Sequence, residues 1–329
     1  MKELTVKDVG EFGLIYRIMH DFIYRPEQVV IGSGDDGAVY RVPCGFDQVI
    51  STDTMVEGIH FTMETMTPFH VGYHLGTANF SDMAAMGAEA TGFVLSIALP
   101  DDLPLPWVEA FYEGLRDCCR RYRVNLLGGD VTGSKGGIVL TGTVVGMVPR
   151  GQAVPRSGAR EGDIVFVTGT IGDSGGGLYA LLHGMGEKYP SLVHRHRHPE
   201  PQIALGAFLR EKGAHALNDI SDGLSRELHE IAQASGVKIE IDPSRIPLSS
   251  ELKELGKAVS ADPLQWAYNG GEDYELVGTI SPASFDTIGK DRGITAIGRV
   301  VKKPGQGVRL GGNGNQKVLE VHGFDHFVR

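Results

Sequence analysis

Phe12, Ile15, Ile18, Met19 and Phe22 recur at helical spacing and predict an amphipathic helix from Glu11 to Tyr24. Asp47 to Thr52 predicts a strand that runs into Asp53, and Thr67 to Met86 a long helix carrying Asn79 and Asp82. Thr91 to Leu99 reads as a strand closed by Pro100. Pro106 to Tyr122 reads as a helix with its proline in the first turn, where a missing N–H is tolerated. Val124 to Leu127 predicts a short strand leading into Gly128-Gly129-Asp130, and Ile138 to Val148 a β-rich run.

From Val148 to Gly162 the pattern breaks, with prolines at 149 and 155, glycines at 151, 158 and 162 and arginines at 150, 156 and 160. This is the best candidate for a domain junction and divides the chain into residues 1–148 and 149–329. Alternation then resumes. Strands are predicted at Asp163–Thr168, Ala216–Asp219, Val237–Ile241 and Tyr274–Ile280, and helices at Ser174–His183, Gln202–Glu211 and from Asp222 to Ala234. Strands and helices mix in both halves, so the expected class is α/β or α+β in two domains, as a length of 329 residues also favours.

Composition narrows the function. A formal net charge of -10 argues against a nucleic-acid surface, which normally carries a basic stripe. The start of the chain has no apolar signal core, and the most apolar stretches, such as Gly92 to Leu99, are too short to span a bilayer. Cys44, Cys118 and Cys119 offer no disulfide framework, so a reducing cytoplasm is expected.

The candidate chemistry lies in six acidic motifs: Gly34-Asp35-Asp36-Gly37, Ser51-Thr52-Asp53, Asn79-Phe80-Ser81-Asp82, Gly128-Gly129-Asp130, Asp219-Ile220-Ser221-Asp222-Gly223 and Gly270-Gly271-Glu272-Asp273. Turn and cap chemistry accounts equally well for any one of them. Six together point to a pocket for hard cations such as Mg²⁺, which takes oxygen ligands from a few carboxylates and from substrate phosphates. No P-loop string is present, because Gly129 to Gly136 has the wrong spacing. Gly169 to Gly177 opens a helix and either holds an anion on its N–H groups or is a plain strand-to-helix turn, the second slightly favoured. His194-Arg195-His196-Arg197-His198 reads as a solvated basic loop, since flanking arginines oppose a cation. Phe61, Trp266, Tyr274 and Phe324 read as core aromatics.

Taken in order, the motifs resemble the thiamine-monophosphate kinase family of the aminoimidazole-ribonucleotide synthetase-like superfamily. The resemblance rests on Glu11-Phe12-Gly13-Leu14-Ile15, Gly34-Asp35-Asp36-Gly37-Ala38-Val39, Ser51 to Phe61 and Asn79 to Ala88. Gly128-Gly129-Asp130, Arg156-Ser157-Gly158-Ala159, Asp219 to Leu224 and Gly270 to Leu276 complete it. The Val56-Glu57-Gly58-Ile59-His60-Phe61 and Gly270-Gly271-Glu272-Asp273-Tyr274-Glu275 strings are the most specific.

The resemblance implies a two-domain α/β subunit whose N-terminal domain pairs with that of a second copy in a shared β-barrel, making a homodimer. It implies ATP-dependent phosphorylation of thiamine monophosphate to thiamine diphosphate, the last step of thiamine diphosphate biosynthesis, with several Mg²⁺ ions. Metal ligands would be Asp36, Ser51, Thr52, Asp53, Asp82, Asp130, Asp219 and Asp222, of which Asp53, Asp130, Asp219 and Asp222 carry the catalysis. ATP would meet Tyr112, Gly129, Asp130, Arg156 and Ser221. Thiamine monophosphate would meet His60, Glu272 and Phe324, which stands where the family often has Trp. Asp35 and Asp273 are left as turn or supporting residues. The segment from His198 to Gln202 lacks the arginines the family carries there. The acceptor is itself a phosphate monoester with a second pKa of about 6, so it needs no general base. Direct transfer without a phosphoenzyme follows. The alternatives are another ATP-dependent enzyme of the superfamily, such as aminoimidazole-ribonucleotide synthetase, and a non-catalytic Mg-nucleotide-binding protein.

Overall fold

The computed structural model describes residues 4–19, 21–31, 38–289, 292–302, 305–311 and 317–320. The Gly34-Asp35-Asp36-Gly37 turn and Phe324 lie outside them. Contacts divide the chain into two units, residues 1–83 with 88–151 and residues 84–87 with 152–329.

The first unit opens with α1 (Val6–Ile18) and an antiparallel pair, β1 (Val29–Ile31) and β2 (Val39–Tyr40). It continues with β3 (Phe46–Val56), α2 (Pro68–Ala85), β4 (Glu89–Pro100), α3 (Leu105–Tyr122), β5 (Asn125–Ser134) and β6 (Val139–Pro149). Four strands form one sheet in the order β3-β6-β4-β5, antiparallel except for the β4–β5 pair that α3 connects.

Along β4 the side chains alternate. Phe93, Leu95, Ile97 and Leu99 are buried on the face that α2 covers, and Phe80 of α2 meets Phe93 edge-on. Val94 and Ser96 point the other way and are exposed. Glycines let α2 and α3 cross closely: a methyl at Gly72 would lie 1.9 Å from the Phe111 carbonyl oxygen, and one at Gly114 would lie 1.8 Å from that of Phe69. The opposite sheet face is left open, with Ile50 67% and Val94 39% exposed.

Two strands run further than their sequence predicts. β3 continues through Asp53 to Val56, and β5 continues through Gly128-Gly129-Asp130 to Ser134. Asp53 and Asp130 therefore sit within strands rather than at strand ends. Gly and Asp read locally as strand breakers, but β6 and β4 pair with these segments residue by residue.

The second unit holds β7 (Ile164–Thr168), α4 (Asp173–Leu182), α5 (Pro190–Arg197), α6 (Ile203–Glu211), β8 (Ala216–Asp219), α7 (Leu224–Ser235) and β9 (Lys238–Ile241). There follow α8 (Ser250–Val259), α9 (Leu264–Asn269), β10 (Leu276–Ile280), α10 (Pro282–Phe285), β11 (Ile294–Val301), β12 (Gly307–Leu310) and β13 (Lys317–Val318). Its sheet has the order β13-β12-β9-β11-β7-β10-β8, with β12–β9 the parallel neighbours.

Both faces of this sheet are covered, and the period-2 alternation of β7 shows it. Val165 and Val167 pack with Leu228, Ile231 and Ile239, while Phe166 between them packs with Leu209, Leu217 and Leu276 on the other side. Among the described residues no helix is long and apolar enough to cross a membrane.

Gly142 of β6 shows how tightly the covered face of the first unit is filled. A methyl there would lie 2.4 Å from Phe93 Cζ and 2.5 Å from Asn79 Nδ2. Gly142→Ala is expected to cost about 2 kcal/mol through overpacking. A thermal melt checks this, and an unchanged midpoint would mean that the α2–sheet contact yields freely.

Candidate active site

The first unit gathers part of the expected ligand set on the α2 side of its sheet. Ser51 and Asp53 share one face of β3, and the Ser51 hydroxyl donates to Asp82 Oδ2 at 2.5 Å. The Asp53 N–H donates to Asn79 Oδ1 at 3.3 Å, and Asn79 Nδ2 donates to the Leu75 carbonyl at 2.9 Å. Asn79 is fully buried, so one asparagine ties α2 to the backbone of β3 beside Asp53.

Thr52 and Asp130 do not join this group. Cross-strand partners share a face, so the register places Thr52 in a row with Thr143 and Val94, and Asp130 in a row with Thr54, Thr141 and Ser96. Both rows lie on the open face. The Thr52 hydroxyl donates to the Gly142 carbonyl at 2.7 Å and accepts from Thr143 at 3.2 Å. β3 and β5 are the two edges of the sheet. Three strand spacings separate Asp53 from Asp130, about 14 Å, too far for both to ligate one ion within a single chain.

His60 follows β3 in a turn, where the Val56 N–H donates to His60 Nδ1 at 3.0 Å. That bond leaves the proton of a neutral ring on Nε2. Tyr112 is 4% exposed, with its ring edge-on to Phe22 and Phe111, so its place is in the core of the first unit. Gly129 is exposed within β5.

In the second unit two acidic loops interlock. The Ile220 N–H donates to the Glu275 carbonyl at 2.7 Å, that of Glu272 to Ser221 at 2.7 Å and that of Tyr274 to Ile220 at 2.9 Å. A methyl on Gly271 would lie 2.3 Å from the Ser221 carbonyl oxygen, so this crossing needs glycine. Glu272 and Tyr274 take positive φ, +66° and +51°, a conformation that costs a residue with a Cβ and persists only where the surroundings impose it.

Asp219 is buried at the end of β8, and Ser221 and Asp222 are half-buried before α7. Beside them stand residues the sequence did not single out. Glu227 Oε1 accepts from the Asp222 N–H at 3.2 Å, and its other oxygen accepts from Asn218 Nδ2. Asn218 Oδ1 accepts from Arg156 Nε at 2.8 Å, and Arg156 Nη1 reaches Glu230 at 3.2 Å. Burial, followed by the charges of Asp219 and Glu230, pushes the Glu227 carboxyl well above the usual carboxylate range.

The segment from 272 to 275 carries three carboxylates, and each meets a definite partner. Asp273 accepts from the Gly172 N–H at 2.6 Å and the Ser174 N–H at 3.1 Å, capping α4. Burial pushes its carboxyl up to about 7, while those two N–H groups pull it down. The Gly-rich turn at 169–177 is thus a structural turn whose N–H groups serve a carboxylate of the chain itself.

Glu275 pairs with Arg195 at 2.6 Å and accepts from the Thr168 hydroxyl at 2.6 Å. Burial by itself lowers the Arg195 pKa and is the largest single influence, but the charge and hydrogen bond of Glu275, together with the charges of Asp273 and Asp173, outweigh it and the net shift is upward. Glu272 Oε2 lies 3.7 Å from His196 Nδ1, and that nitrogen is 3.1 Å from Ser174 Oγ.

These contacts correct the reading of residues 194–198 as a solvated basic loop. The segment lies largely within α5, where Arg195 is partly and His196 almost wholly buried. Its partner Glu275 is 80 positions away, which no local pattern reveals.

Ser51, Asp53, Asp82, Asp130, Asp219, Ser221 and Asp222 offer oxygen alone, the donor chemistry of a hard cation such as Mg²⁺. Among the described residues no three carboxylate, imidazole or thiolate side chains converge into a metal cage.

The chain is similar to known proteins over nearly its whole length. The family model described as AIR synthase related protein, N-terminal domain, matches residues 34–148, and the C-terminal domain model matches residues 160–311. Thiamine-monophosphate kinase of Bacillus subtilis (strain 168) is 38% identical over 97% of this chain and 100% of its own. The crystal structure of thiamine-monophosphate kinase from Stenotrophomonas maltophilia K279a is 35% identical with a TM-score of 0.82, covering 93% of this chain and 98% of that one. The structure of AaThiL complexed with AMPPCP and TMP is 36% identical with a TM-score of 0.79, covering 99% and 100%.

The Arg195–Glu275 pair yields a prediction. Arg195→Met strands the 4%-exposed Glu275 carboxylate without its guanidinium. The expected loss is about 3 kcal/mol of unfolding free energy. Urea denaturation measures it, and a loss near zero would show that the pair does not fasten α5.

Proposed function

The chain belongs to the thiamine-monophosphate kinase family of AIR synthase related proteins, and we propose that it transfers the γ-phosphoryl group of ATP to thiamine monophosphate, giving ADP and thiamine diphosphate. The observation that carries this reading is the likeness over nearly the whole chain, which includes both interlocked loops of the second unit. The chain is read as an N-terminal domain of residues 1–148 and a C-terminal domain of residues 149–329.

In this reading Asp36, Ser51, Thr52, Asp53, Asp82, Asp130, Asp219 and Asp222 hold Mg²⁺. Gly129, Asp130, Arg156 and Ser221 meet ATP, Tyr112 being packed in the core of the first unit rather than presented to a ligand, and His60, Glu272 and Phe324 meet thiamine monophosphate. Bound Mg²⁺ supplies the positive charge that lets two anionic phosphates approach and that steadies the transition state. The separation of Asp53 from Asp130 requires either more than one ion per chain or a contribution across a dimer.

The chain's own task is positional. Asn79 fixes the backbone at Asp53, and the Ser51 hydroxyl orients the Asp82 carboxylate. The acceptor phosphate is already an anion, so no side chain has to remove a proton from it. Transfer is direct and in line. The open sheet face bearing Ile50 and Val94 supports pairing into a homodimer through a shared barrel. A cytoplasmic setting, with neither nucleic acid nor membrane as partner, belongs to the same reading.

Incubation with ATP, Mg²⁺ and thiamine monophosphate should yield thiamine diphosphate on chromatography. No product from the folded protein would sink the assignment. With γ-labelled ATP the protein should carry no acid-stable or acyl label at any time point, and a labelled aspartyl-phosphate would overturn direct transfer.

Asp53→Asn keeps the shape and removes the charge. It should lower kcat on the order of a hundredfold or more with the melting midpoint nearly unchanged, and a near-normal rate would remove Asp53 from the site.

A further inference from the structure

The second unit contains a buried histidine that the proposed chemistry does not use. His196 lies on α5 with its side chain 2% exposed. Its Nδ1 faces two groups, Ser174 Oγ at 3.1 Å and Glu272 Oε2 at 3.7 Å. Both are themselves fixed by the same loop. The Ser174 N–H donates to Asp273, the residue after Glu272, and the Glu272 N–H donates to the Ser221 carbonyl.

α5 has little freedom to move His196 away. The neighbouring residue, Arg195, is locked to Glu275, and Glu275 is locked to Thr168 of β7. Gly177 of α4 lies so close that a methyl there would sit 2.1 Å from the Leu192 carbonyl and 3.0 Å from His196 Cβ. The imidazole is held from three sides against a glutamate whose backbone is forced to φ +66°.

The Glu272 side chain is 23% exposed, so part of it reaches solvent while Oε2 looks inward at the ring. A flexible carboxylate at the mouth of a site loses rotamer freedom on meeting a cationic ligand. One oriented beforehand by a fixed neighbouring ring does not.

We infer that His196 is a positioning residue that orients the Glu272 carboxylate toward the thiamine end of the substrate. The inference rests on the reading of Glu272 as the residue that meets thiamine monophosphate. His196 touches neither substrate nor metal. With the proton on Nδ1, the ring donates to Ser174 Oγ and turns the same edge toward Glu272. The 3.7 Å separation exceeds a hydrogen bond, so the ring guides the carboxylate by short-range attraction.

Two substitutions separate this role from a merely structural one. In His196→Asn the amide Nδ2 stands where Nδ1 stood and can still donate. His196→Leu fills similar space and cannot. His196→Leu should raise the KM for thiamine monophosphate about tenfold, with kcat and the KM for ATP within about twofold. His196→Asn should recover most of that loss. In a Glu272→Gln background, His196→Leu should add no further penalty, because the carboxylate it orients is gone. Isothermal titration of thiamine monophosphate into the protein gives the same comparison without turnover.

Equal KM values for wild type and His196→Leu would overturn the inference while leaving the functional reading intact. A wild-type protein that makes no thiamine diphosphate would instead sink the reading beneath it. A rise in the ATP KM, or a full additive penalty in the Glu272→Gln background, would also defeat the positioning role. If His196→Leu fails to fold, His196→Ala, which also cannot donate, takes its place in the same KM comparison, alone and in the Glu272→Gln background.

Discussion

Burying carboxylates is costly unless each one is answered, and the second unit is organised around that constraint. Glu272, Asp273 and Glu275 fall within four consecutive positions, and Asp273 and Glu275 are each only 3% exposed. The fold answers them separately: the N-terminus of α4 takes Asp273, Arg195 and Thr168 take Glu275, and His196 stands against Glu272. These partners come from β7, α4 and α5, so the acidic segment pins those elements to the loop. Glu272 and Tyr274 hold positive φ within this pinned segment.

The first unit solves a different problem, that of placing ligands on a sheet. Alternation sends Ser51 and Asp53 under α2 and sends Thr52 to the open face. The strand order then puts Asp130 at the far edge. A carboxylate cage closed within the sheet would have needed neighbouring strands and a common face. This arrangement keeps the acidic groups apart and so limits their mutual repulsion when no cation is bound. Asn79 is the hinge of the design, since it is neutral, fully buried and joined to both α2 and β3.

Much of this was legible in the chain. The long helix carrying Asp82 and the β8–α7 turn at Asp219 to Gly223 follow from periodicity and turn chemistry. The family was legible from motif order. What stayed hidden has particular causes. β5 looked finished at Leu127 because Gly128-Gly129-Asp130 has poor strand propensity, and only pairing with β4 carries it onward. α5 looked like a charged loop because its His-Arg alternation hides the helical face, and the acid that buries Arg195 is remote in sequence. Glu227 and Asn218 gave no signal, since their work begins only once α7 folds back against β8. Asp36 and Phe324 lie outside the described residues, so their place rests on resemblance alone.

The reaction class explains why the protein commits its precision to position. Phosphoryl transfer between two anions asks for alignment and charge neutralisation, with little covalent work from side chains. The buried carboxylates Asp273 and Glu275, both pushed upward by burial, are held by fixed partners of the chain itself. Those carboxylates set the path of the 270–275 loop, and three backbone hydrogen bonds tie that path to Ile220 and Ser221. Glu272, read as meeting the acceptor, is thereby joined through its own N–H to Ser221, read as meeting the nucleotide. A loop tethered at one end only would let the acceptor and the donor drift independently. A misplacement of about an ångström already costs such a reaction on the order of a hundredfold, so the interlock between the two loops belongs to the catalytic design as much as the ligands do.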